Sequence, residues 1–131
     1  MPLVRITVAR GLGAERLSAM GAAVHQALVT VANAPADDRF QVIEEAGPED
    51  LVFDPGYLGI TRTGVVIVQV FLNQGRTVAV KTALYDRVAG NLAAAGVPKG
   101  NVLVNLVEVA RENWSFGNGV MSYPPPAAES R

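Results

Sequence analysis

Apolar and polar positions alternate at the start of the chain: in Leu3–Val8, LVRITV, Arg5 and Thr7 stand between apolar neighbours. A two-residue period predicts a strand with one face more buried than the other. After a glycine turn at Gly11–Gly13, Leu17, Met20, Val24, Ala27, Leu28 and Val31 recur at helical spacing, a stripe wide enough to face a sheet. Pro35 disfavours helical geometry in the residue before it, so this helix is expected to end near Asn33. Phe40–Ile43 then predicts a second, short strand.

The second half repeats the scheme. Val65–Leu72, VVIVQVFL, is the near-continuous apolar run expected of a strand covered on both faces. Gly75 marks a turn, and Val80, Leu84, Val88, Leu92 and Ala95 form a second helical stripe that Pro98 closes. Val102–Val109 predicts the last strand. Two such β-α-β units imply parallel strand pairs joined by right-handed crossovers. The predicted class is therefore α/β (α+β), with tandem β-α-β units forming a four-stranded sheet and two helices on one face. A single domain is expected over residues 1–123, with pseudo-repeat halves at 2–45 and 65–109. The far face of the sheet is expected to be apolar and exposed on a lone copy, which predicts a homo-oligomer. Ala46–Ile60 reads as a Gly- and Pro-rich loop between the halves. From Tyr123 onward the chain, YPPPAAESR, is expected to run extended, with 124–131 a flexible tail.

Composition narrows the function. Half the residues are hydrophobic and 18% are charged, as in a packed domain. A net charge of −1 with no long basic run argues against nucleic acid as a partner. The absence of cysteine removes disulfides and thiolate chemistry, and His25 as the one histidine leaves no His-rich zinc site. No cofactor or metal is expected. No basic leader or long apolar span is apparent, so a cytoplasmic protein with no membrane partner is expected.

Several stretches carry candidate chemistry. Gly11–Leu12–Gly13 lies where a dinucleotide fingerprint would begin, but Arg16 stands in the place of the third glycine, and a turn is the better reading. His25 reads as a histidine on the helix flank, without a partner that sequence can place. Asp37–Asp38–Arg39 is either a solvated turn or a carboxylate group built at a strand end. Arg76, in Asn73–Gln74–Gly75–Arg76, is either a turn arginine or a cation for a substrate carboxylate. Trp114 and Phe116 are two large aromatics outside a regular element, able to wall a pocket, lock a subunit contact or cap the core. Pro2 acquires chemistry only if Met1 is removed. Its secondary amine could then protonate, polarise a carbonyl, act as a base or form an iminium.

Taken together, PLVRI at the start, PADDRFQV, TRTGVVIVQV and NWSFGNG resemble the tautomerase superfamily, and within it the malonate semialdehyde decarboxylases. The resemblance covers the chain to about Gly119. It implies a homotrimer of cofactor-free sites acting on a small carbonyl acid. It implies Pro2 as general acid or iminium former, Asp38 as the water-activating or proline-supporting carboxylate, Arg76 as a substrate-binding arginine, and Trp114 and Phe116 as pocket wall. The expected reaction is decarboxylation of a β-oxo acid, with hydration or keto–enol tautomerisation as related chemistries. The decarboxylase pattern has two arginines flanking a proline here, whereas Asn73–Gln74–Gly75–Arg76 has one; Asn73 or Gln74 would offer the substrate neutral hydrogen bonds, each about half as strong as a charge-assisted one. A non-catalytic trimeric scaffold or ligand-binding member is the other reading of that departure.

Overall fold

The computed structural model describes residues 2–124. The first alternation becomes β1 (Leu3–Ala9), with Val4, Ile6 and Val8 buried. It is followed by α1 (Ala14–Val31) and β2 (Phe40–Ala46); β3 (Val66–Asn73), α2 (Val78–Ala94) and β4 (Val102–Val109) form the second unit. The strand order is β2-β1-β3-β4. Each unit contributes a parallel pair, and the units join through antiparallel β1 and β3.

Both helices cover the same face. Val4, Ile6 and Val8 of β1 and Val66, Val68, Val70 and Leu72 of β3 share one core cluster with Met20, Val24 and Leu28 of α1 and Leu84, Val88 and Leu92 of α2. These are the stripes expected at helical and strand spacing, brought to a common interior. β1, α1 and β3 shift by one or two residues from expectation, and two further boundaries differ for a visible reason. β2 continues to Ala46, because its register with β1 carries Glu44 opposite Thr7 and beside Arg5, with which it forms an ion pair. α2 ends at Ala94, ahead of Pro98, because Gly96 takes the left-handed conformation (φ 94°) that terminates helices.

The far face of the sheet is less apolar than expected. Register places Phe40, Leu3, Phe71 and Val107 in one apolar row. The next row is Val42, Arg5, Gln69 and Asn105, and Gln69 donates to Asn105 at 3.4 Å. Polar side chains thus divide this face into two apolar zones. The expected flexible tail, 124–131, lies outside the described residues except for Pro124; Tyr123, just before it, is packed, its ring meeting Phe116 edge-on at 6.0 Å.

An arginine ties each helix start to the other helix's end. Arg76, just ahead of α2, donates from Nε and Nη2 to the carbonyl of Ala32, the C-cap of α1, at 3.2 and 2.8 Å. Its Nη1 donates to the Asn73 carbonyl at 3.0 Å. In the other half, Arg16 of α1 reaches the Gly96 carbonyl beyond α2 at 3.4 Å. A cation at the negative end of a helix dipole is favourable in both places, but only Arg76 is half-buried and makes three bonds. Arg76→Ala is expected to lower the urea unfolding free energy by about 1.5–3 kcal/mol, as for hydrogen bonds from a charged group. Arg16→Ala should change it by less than about 0.5 kcal/mol, as for an exposed surface contact.

Candidate active site

Antiparallel pairing of β1 and β3 places the start of one strand beside the end of the other. Leu3 pairs with Phe71 on one side and with Phe40 on the other. Pro2, one residue earlier and buried, therefore sits at the sheet end where β2 begins and β3 finishes. Asp38 precedes β2, Asn73 closes β3, Arg76 precedes α2, and Trp114 follows β4. The candidate residues read from the sequence thus converge on one end of the sheet.

The segment carrying Asp38 is held at several points. Arg76 grips Ala32, and the Ala34 amide donates to the Leu28 carbonyl at 3.1 Å. His25 Nε2 meets the Ala36 carbonyl at 2.9 Å. A carbonyl can only accept, so that nitrogen carries the proton. The Asp38 amide closes a turn onto the Pro35 carbonyl at 3.1 Å. Within the described contacts His25 is thus an anchor for the loop, which its place on the helix flank did not reveal.

A cleft of about 370 Å³ opens here, lined by Pro35, Asp37, Asp38, Phe40, Phe116, Ser122 and Tyr123. Its aromatic wall is continuous. Trp114 stacks on Phe116 with centroids 5.1 Å apart and planes 14° from parallel, and Phe116 lies 5.4 Å from Phe40. The loop bearing these rings closes on itself: the Ser122 amide donates to the Trp114 carbonyl at 3.0 Å, and the Phe116 amide to Ser122 Oγ at 2.9 Å. Arg111 lies over the Tyr123 ring at 4.8 Å, a cation–π contact. Burial, and then the negative charge of Asp38, push the Tyr123 phenol above its usual range, while Arg111 pulls the other way.

Among the described lining residues are two carboxylates and no cation. The three described bonds of Arg76 leave one N–H on each terminal nitrogen, enough to meet one carboxylate. Asn73 accepts from Trp114 Nε1 at its side-chain oxygen, at 2.6 Å, which leaves Nδ2 as the donor end of its amide. Among the described residues no group of three or more His, Cys, Asp or Glu could hold a metal ion, and no helix is long and apolar enough to cross a membrane. Phe40, Ser122, Tyr123 and Arg111 were not singled out from the sequence. Phe40 reads as an ordinary strand residue, and Tyr123 as the start of the tail. The one available signal was the crowding of aromatic residues between Trp114 and Tyr123.

Two family models, each described as "Tautomerase enzyme", match residues 38–117 and residues 2–59. The chain belongs to the tautomerase superfamily. It is 36% identical over 121 residues to the probable tautomerase YusQ of Bacillus subtilis (strain 168), covering 91% of this chain and 95% of that protein. The FG41 malonate semialdehyde decarboxylase inhibited by 3-bromopropiolate superposes with a TM-score of 0.88 at 37% identity, over 92% of this chain and 93% of that one. A wild-type fused 4-OT that forms a symmetric trimer superposes with a TM-score of 0.76 at 25% identity, over 91% and 94% of the two chains. The four-stranded mixed sheet and its two helices are thus the tautomerase fold, and the chain is similar in structure to malonate semialdehyde decarboxylase.

Asp38→Asn, in a Tyr57→Phe/Tyr85→Phe background where Tyr123 is the remaining phenol, is expected to lower the midpoint of the tyrosinate absorbance titration. An unchanged midpoint would contradict the placement of Asp38 against Tyr123.

Proposed function

We propose that this protein is a cofactor-free enzyme that uses the amine of Pro2 on a small oxo acid, with malonate semialdehyde decarboxylation as its reaction. The observation that carries this reading is the 37% identity to a malonate semialdehyde decarboxylase along 92% of the chain. The convergence of Pro2, Asp38, Arg76, Trp114 and Phe116 at one sheet end supports it.

The chemistry follows from electron demand. When the bond between the carboxylate and the α-carbon of a β-oxo acid breaks, its electron pair must flow into the carbonyl. A protonated Pro2 amine donating to the carbonyl oxygen, or an iminium formed by that amine, supplies the sink. Carbon dioxide leaves, the enol takes a proton at carbon, and acetaldehyde is the second product. Arg76 would orient the carboxylate with its two remaining donors. Asp38, beside the start of β2, would keep the amine protonated or activate water, which also permits a hydratase activity. Trp114 and Phe116 would wall the pocket and exclude bulk solvent.

The assembly proposed is a homotrimer, the state of the symmetric fused 4-OT. Exposed Phe40, Val42 and Leu103 on the far sheet face, and Val52, Tyr57 and Leu58 on the loop between the halves, supply apolar surface for subunit contacts. The second reading, keto–enol tautomerisation of a 2-oxo acid, is favoured by YusQ, described as a probable tautomerase. With malonate semialdehyde, the purified protein is expected to form acetaldehyde, and Pro2→Ala to lose most of that turnover. Enol–keto conversion without acetaldehyde would favour the tautomerase. Inactivity on both substrates, with Met1 absent by intact mass, would favour a non-catalytic scaffold.

A further inference from the structure

Asn73 is the one buried polar residue among the described residues, with 9% of its surface exposed. A buried amide is costly unless its polar atoms find partners. The oxygen has one: the Trp114 indole N–H, at 2.6 Å and 41 residues away in sequence. Because an indole nitrogen only donates, the amide orientation is fixed, with Oδ1 toward Trp114. The backbone carbonyl of the same residue accepts from Arg76 Nη1 at 3.0 Å. Asn73 therefore joins the end of β3 both to the Arg76 clamp and to the loop after β4.

Trp114 is the root of the aromatic wall. Its ring stacks on Phe116, which touches Phe40 and Tyr123, and those three line the cleft. We propose that Asn73 is a positioning residue: its side-chain oxygen locks the Trp114 indole and thereby sets the aromatic wall of the cleft. This rests on the cleft being the active site, as proposed above. An arginine at position 73 has only donors and cannot accept from an indole N–H.

The chain's one tryptophan is its own reporter. In the full-length protein without substrate, Asn73→Leu, similar in size but without an acceptor, is expected to make Trp114 more accessible to acrylamide quenching and to weaken its near-ultraviolet dichroism. Asn73→Arg should do the same. Asn73→Asp, which keeps an acceptor in place, should restore both signals toward those of the native protein. Native-like quenching and dichroism in Asn73→Leu, or failure of Asn73→Asp to differ from Asn73→Leu, would overturn the proposal. If Asn73→Leu does not fold, Asn73→Leu/Trp114→Phe is expected to fold, because no buried donor is then left unpaired. A double variant that also fails would overturn it. None of these readouts needs turnover, so their failure is distinct from failure of the proposed reaction.

Discussion

Antiparallel pairing of β1 with β3, Leu3 against Phe71, is the constraint on which the site depends. Each β-α-β unit by itself is a parallel pair with a helix across it. Joined through these central strands, the units bury Val4, Ile6 and Val8 with Val66, Val68 and Val70 beneath both helices. The same pairing carries Pro2 to the end of β3, beside the loop that leads into β2. A parallel junction would have placed the start of β1 beside the start of β3, away from Asn73 and Arg76.

The side chains around this junction divide the work. Arg76 and His25 hold the 32–38 segment through the carbonyls of Ala32 and Ala36, and the backbone turn at Pro35 completes it. Asp38 is thus presented from a loop restrained along its length, as the role proposed for it requires. On the opposite wall, Trp114 stacks on Phe116 and Tyr123 meets Phe116 edge-on, an apolar surface that the Trp114–Asn73 bond ties to the end of β3. The low charge of that wall raises the energetic weight of the few charges near it, as the upward push on the Tyr123 phenol by burial and Asp38 illustrates.

Much of this was legible in the sequence because it follows from periodicity. The strand at Val102–Val109 was placed at its observed bounds, and both helical stripes face the core, since apolar spacing reports burial directly. The full extent of β2 was hidden because Glu44 and Glu45 look like solvated residues, until Arg5 is found beside Glu44 across the strand pair. The polar row through Arg5, Gln69 and Asn105 was hidden for a related reason: each residue looks isolated in its own strand, and only register aligns them. Family motifs named Pro2, Asp38, Arg76, Trp114 and Phe116. They could not say that Arg76 is largely engaged with backbone carbonyls, or that Asn73 faces Trp114, because those partners lie 44 and 41 residues away.

The central claim is that the reactive group of this protein is the amine of Pro2. Incubation with an acetylenic acid such as 3-bromopropiolate, followed by intact mass and peptide mapping, tests it most directly. The account predicts one covalent adduct per chain, carried on Pro2 of a protein that has lost Met1, and none in Pro2→Ala. An adduct on another side chain, or no adduct on a protein with a free Pro2 amine, would contradict it.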